Sequence, residues 1–252
     1  MATSDWVIRS VAPGVTIFSK PFARGGFVPI GGRSTAIKLA SGNVFLFAST
    51  PYNEESRQAI EDMATSSDSK QTGTVKWVLA PDSVHTMFTK QWQEAYPDAK
   101  IYGCEDSAKN KEIKWTKIFT KENPNPFAED EELSKEIKSE YFSGFVNQDI
   151  AVLHMPSKTL VVADLLMNLP ATEQYSKSNK SAWGFTGYMN PFSGLHKTFV
   201  SGPGAKDKDS MAASAKVVNA WDFTRIIPCH GDVLEGNGRA AWSSAYSKLL
   251  KP

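Results

Sequence analysis

The chain has 252 residues, 41% of them hydrophobic and 22% charged, enough to bury a full core. Its formal net charge is +1, so nothing in the balance favours nucleic acid or an anionic membrane as a partner. No apolar run approaches a membrane span, the opening Met-Ala-Thr-Ser-Asp-Trp lacks the basic and apolar parts of a signal peptide, and Cys104 and Cys229 read as free thiols; the expectation is one domain over residues 1–252, cytoplasmic and without membrane insertion.

The first fifty residues read as strands. Val15-Thr-Ile-Phe18 is one. Ser34–Leu39 and Asn43–Phe47 form a hairpin around Ala40-Ser-Gly42, and Ser49-Thr50-Pro51 ends it. Gly25-Gly26 and Gly31-Gly32 read as turns, since strand residues and not a helix follow them. Residues 54–65 have an acidic first turn and helical character. Val75–Leu79 is a buried strand closed by Pro81. Residues 86–96 place Phe88, Trp92 and Tyr96 on one helical face. Lys100-Ile-Tyr102 is a short strand.

Residues 105–138 are polar, and their lysines at 109, 111, 114, 117 and 121 read as a solvated face. Strands resume at Glu140–Phe142, Ile150–Leu153 and Thr159–Ala163, the last two joined by the turn Met155-Pro-Ser-Lys158. Residues 166–204 read as a long irregular stretch rich in Gly and aromatics. A helix over about 208–221, a strand through Ile226-Ile227 and a helix near 239–250 close the chain. This order predicts an α/β (α+β) architecture of two sheets covered by helices.

Three strand ends carry chemistry. Thr224-Arg-Ile-Ile-Pro-Cys-His-Gly-Asp232 stops a β-branched run at Pro228 and presents His230. Trp77-Val-Leu-Ala-Pro-Asp-Ser-Val-His85 runs a buried strand into Asp82 and His85. Thr159-Leu-Val-Val-Ala-Asp164 ends in a carboxylate, which as a bland alternative is a helix cap or turn former. Two imidazoles and two carboxylates at rigid strand ends are donors suited to zinc or iron.

The chain here resembles the metallo-β-lactamase superfamily. Pro13-Gly-Val-Thr16 and the Ser34–Pro51 hairpin are similar to its opening strands. Trp77–His85 falls where its His-x-His-x-Asp-His loop belongs, Val161-Val-Ala-Asp-Leu165 where a strand ends in the bridging Asp, and Ile226-Ile-Pro-Cys-His-Gly231 where the last His ligand lies. The resemblance implies a four-layer αββα sandwich with its site at one edge of the two sheets. It also implies a degenerate site. Pro81 and Ser83 stand at the positions of the first two His ligands, and no His lies near Gly144 or Phe145, where the middle one is expected. At most one metal site follows, from His85, Asp164 and His230, with Asp82 as a fourth ligand or as the group orienting a water. The metal would be zinc, iron or manganese.

His154 is a tempting substitute ligand. If 155–158 is the turn, however, His154 faces Thr159 and Asp164 lies five residues further on, roughly 16 Å away at about 3.3 Å per residue. It is expected outside the site. Trp183, Phe185, Tyr188 and Phe192 are expected to wall an apolar pocket, with His196 as a possible acid or base, the alternative being ordinary loop packing. Cys229, beside His230, reads as an inert buried thiol. Ser67-Asp-Ser-Lys70 has the spacing of serine acylases and Asn179-Lys-Ser181 that of a glycosylation acceptor; both read as chance. The reading is a hydrolase of a small apolar ester, lactone or thioester, with Asp82 and His85 as catalytic groups. Two alternatives on the same fold are a metal-free isomerase, cyclase or lyase, and a non-catalytic binding protein.

Overall fold

The computed structural model describes residues 4–65 and 73–251, together with all side chains there except those of Phe185 and Thr186. The Ser67–Lys70 spacing therefore lies outside the described residues.

In chain order the elements are β1 (Val7–Ala12), β2 (Val15–Lys20), a small hairpin of β3 (Ala23–Arg24) and β4 (Val28–Pro29), β5 (Gly32–Lys38), β6 (Val44–Phe47), α1 (Glu54–Thr65), β7 (Val75–Leu79), α2 (Thr89–Ala95), β8 (Lys100–Cys104), β9 (Lys117–Phe119), α3 (Glu131–Ser134), β10 (Ile137–Tyr141), β11 (Ile150–His154), β12 (Thr159–Val162), α4 (Gly194–Ser201), α5 (Lys208–Asn219), β13 (Arg225–Pro228) and α6 (Gly238–Ala245). Seven strands form one sheet in the order β1-β2-β5-β6-β7-β8-β9, and four form a second in the order β10-β11-β12-β13.

The layering follows from period-two alternation, which sends successive side chains to opposite faces of a strand. In β6, Phe45 and Phe47 enter the core between the sheets, while Val44 and Leu46 face outward. In β12, Val161 faces the other sheet and Leu160 and Val162 face away from it. Ile60 and Met63 of α1 and Trp92 of α2 cover the outer face of the first sheet. Met211, Ala215 and Val218 of α5 and Trp242 of α6 cover that of the second. Four layers, helices-sheet-sheet-helices, result. Among the described residues no helix is long and apolar enough to cross a membrane.

Local signals start the helices. Asn53 accepts from the Ser56 amide through its side chain and opens α1. Ser193 accepts from the His196 amide and opens α4, a regular helix within the stretch 166–204 whose composition predicts irregular chain. The lysines at 109, 111, 114, 117 and 121 are all exposed.

Candidate metal centre

Register brings the two distal groups together. β12 and β13 are parallel, with Val162 opposite Pro228. Two residues further along each chain, Asp164 and His230 emerge side by side, with Asp164 Oδ1 3.3 Å from His230 Nε2. His85 arrives from the first sheet on the loop after β7. That loop is tied across to the second sheet, because the Ile150 amide donates to the Pro81 carbonyl and the Ser83 amide to that of Asn147. His85 Nε2 comes to 3.2 Å from His230 Nε2. One donor atom from each of His85, Asp164 and His230 lies within 4.8 Å of the others, all three residues are buried, and no other such group occurs among the described residues.

The tautomers are set from behind. His85 Nδ1 stands 2.7 Å from Asp82 Oδ2, and His230 Nδ1 stands 2.7 Å from the Gly31 carbonyl. An acceptor at each Nδ1 makes it the protonated nitrogen and leaves each Nε2 a bare lone pair turned toward the other. Two lone pairs at that distance repel unless a cation lies between them or a proton sits on one. In the protein alone the proton falls on His85. Burial would lower its pKa, but the charge and hydrogen bond of Asp82, then the charges of Asp164 and Asp149, outweigh burial and push it up to about 10. Burial likewise opposes ionisation of Asp164, yet the positive charge held on the imidazoles beside it keeps its carboxyl well below the usual range.

The donor set fits one ion. Ligands held 2.0–2.1 Å from a tetrahedral metal stand about 3.3 Å apart; His230 Nε2 stands 3.2 Å from His85 Nε2 and 3.3 Å from Asp164 Oδ1, and all three donors lie within 4.8 Å of one another. Asp82 lies behind this group rather than in it. It is fully buried, and its oxygens are taken by the amides of Val84 and His85 and by the His85 ring. The expectation of a fourth ligand or a water-orienting group gives way to a residue that positions His85.

Several supporting residues were not foreseen. Asn147 donates to Asp164 Oδ2 at 2.6 Å, close in sequence to where the middle His was expected. Asp149 accepts from the amides of Asp164 and Leu165; burial, with Asp82 and Asp164 nearby, raises its pKa well above the ordinary value. Gln174 bridges the turn by donating to the Cys229 carbonyl and accepting from the Gly231 amide. Gly31 has φ +69°, and a Cβ there would meet Gln174 Oε1 at 2.0 Å, so the carbonyl that holds His230 depends on a glycine. None of these has a local pattern; Gly31-Gly32 was the one visible sign, read only as a turn.

A cavity of about 300 Å³ opens over the three donors. Phe22, Ile30, Pro51, Val84, Met87 and Phe88 contribute its apolar lining, and the Phe22 ring stacks on His230 at 6.4 Å between centroids. The aromatic wall expected from the later stretch is not there. Trp183, Tyr188 and Phe192 are 65%, 73% and 50% exposed, and neither they nor His196 line the cavity. The Phe185 side chain lies outside the described ones. His154 pairs with Thr159 as the hairpin argument requires, and its Nδ1 meets Ser157 Oγ at 2.7 Å. Cys229 is a buried thiol beside Ser49 Oγ whose pKa burial pushes well up, as expected of an inert group.

No protein-family model matches the chain, and no curated protein matches it by sequence. Solved structures do. A metallo-β-lactamase from Erythrobacter litoralis superposes with a TM-score of 0.62 at 13% identity, over 99% of this chain and 98% of that one. The chain has the metallo-β-lactamase fold. A metallo-β-lactamase from Hirschia baltica (TM-score 0.59, 11% identity, 99% of each chain) and FIM-1 from Pseudomonas aeruginosa in its mono-zinc form (0.57, 10%, 98% of each) are similar in the same way. On this metallo-β-lactamase fold the present chain carries a reduced His/Asp/His donor set.

His196 is buried in that fold as a neutral ring. Its Nε2 accepts from the Met167 amide at 3.0 Å, and burial lowers its pKa to about 4. The unfolded chain takes up this proton near pH 6.5 and the folded protein only near 4. Stability therefore rises with pH through that window and is lost as pH falls, by up to about 3 kcal/mol. His196→Gln keeps an acceptor without the titration. Urea denaturation between pH 4.5 and 7 is expected to show a shallower pH dependence in the variant; equal slopes would contradict the assignment.

Proposed function

We propose that this protein is a hydrolase that holds one metal ion through His85, Asp164 and His230 and acts on a small ester, lactone or thioester with an apolar part. The observation that carries the reading is the convergence of two Nε2 lone pairs and a carboxylate oxygen, at ligand spacing, beneath an apolar cavity. When bound, zinc, iron or manganese would supply a Lewis acid and lower the pKa of a bound water toward neutrality. Asp82 and Gly31 keep the two imidazoles in the ligating tautomer. Asn147 restrains the second oxygen of Asp164. The lining around Phe22, Val84 and Met87 receives the apolar part of the substrate and excludes water. A cytoplasmic setting, where thiols stay reduced, suits the two free cysteines.

A second reading rests on the Asp82–His85 pair, which is satisfied without an ion and makes His85 a protonated acid in the metal-free protein. Metal analysis separates the two. Protein purified without an affinity tag is expected to contain stoichiometric metal and to hydrolyse members of a panel of short 4-nitrophenyl esters, lactones and acyl thioesters until chelated. Absence of metal, with no thermal stabilisation on adding zinc, iron or manganese, would sink the first reading and leave the second.

A further inference from the structure

The chain has six arginines, and five are engaged. Arg9 and Arg33 meet Glu173. Arg57 lies between Glu54 and Glu61. Arg225 meets Glu235, and Arg239 donates to the carbonyls of Trp221 and Asn219. Arg24 alone makes no side-chain hydrogen bond or ion pair among the described residues. It is also the one arginine that lines the cavity over His85, Asp164 and His230, and its charge reaches Asp164. The position is built: β3 ends at Arg24, Gly25 and Gly26 take positive φ, and the Gly26 amide closes the turn on the Ala23 carbonyl at 3.0 Å. Lys20 lines the cavity too, but its ammonium is occupied over the Trp6 ring, 5.1 Å from the centroid.

A guanidinium is a planar fork suited to an oxyanion, and an exposed one on the lining of a cavity is open to a ligand that enters it. We propose that Arg24 binds an oxyanion, carboxylate or phosphate, carried by the substrate apart from its scissile bond. The substrate class narrows from a neutral apolar acyl compound to an acidic one, with its apolar part against Val84, Met87 and Phe88. The word substrate rests on the hydrolase reading; the anion site does not, and binding alone tests it.

The probes are monomethyl suberate against dimethyl suberate for a carboxylate, and octyl phosphate against octanol for a phosphate, titrated calorimetrically into the full protein and into Arg24→Ala. At least one anionic probe is expected to bind about tenfold tighter than its neutral partner, and the variant to lose that advantage while binding the neutral probe unchanged. Which anion gains identifies the group. No advantage in the unmodified protein, or one that survives in Arg24→Ala, would overturn the proposal; the second result would assign the anion to the metal centre. Arg24 is exposed, so the variant is expected to fold, and its melting temperature checks this. Ester hydrolysis is followed separately. Preference without turnover would remove the hydrolase reading and keep the anion site, and turnover without preference would do the reverse.

Discussion

His230→Ala is expected to abolish stoichiometric metal binding, while His154→Ala leaves it intact. The first removes a ligand and releases the Gly31 carbonyl; the second removes a ring beside Thr159 and Ser157, at the opposite end of β12 from Asp164. Asp82→Asn tests the positioning shell. It keeps all three ligands but takes the carboxylate from behind His85, and affinity should fall by about 10- to 100-fold. Zinc titration by calorimetry, with far-ultraviolet circular dichroism to confirm folding, reads all three. Because Asp82 raises the His85 pKa to about 10, binding must displace a proton, so affinity increases with pH through neutrality and a proton appears on binding. Stoichiometric metal retained in His230→Ala would refute the ligand set.

Arg33→Met is expected to produce the largest loss of stability for a single side chain. The guanidinium is fully buried between the sheets. It donates from Nε to Ser19, from Nη1 to the carbonyls of Pro228 and Gly231, and from Nη2 to Glu173 at 2.9 Å. Removing it strands two buried carbonyls and leaves Glu173 with Arg9 as its one remaining arginine, a change that costs about 3–5 kcal/mol. In a domain of this size the melting temperature should fall by about 10 °C. Because Pro228 and Gly231 flank His230, metal affinity should fall as well. Arg57→Met, whose partners are exposed glutamates of one helix, should change the melting temperature little. Equal shifts in the two variants would contradict the assignment.

The sequence made the architecture legible because alternation and strand-ending prolines are local signals. His85, Asp164 and His230 were legible for the same reason, each lying within a few residues of the end of a buried strand. What holds those donors was not. Gln174, Asn147 and Asp149 act through partners 15 to 57 residues away, and no local pattern encodes such a contact. The aromatics at 183, 188 and 192 misled for a physical reason. Large apolar side chains usually signal burial, but this segment turns them to solvent, and the cavity draws its lining from the β2–β5 region and the loop after β7. Helix α4 hid behind Gly194, although Ser193 already supplied its cap.

The two imidazoles that face each other are 145 residues apart in the chain and come from different sheets. An ion between them would be a removable crosslink, closing loops long enough that the unfolded chain would lose much of its freedom if they were tied. Affinity for such an ion and cohesion of the two sheets would then be one quantity. A substitution that loosens the sandwich far from the cavity should surface first as metal that leaks away, and metal in excess should mask the same substitution by holding the halves together.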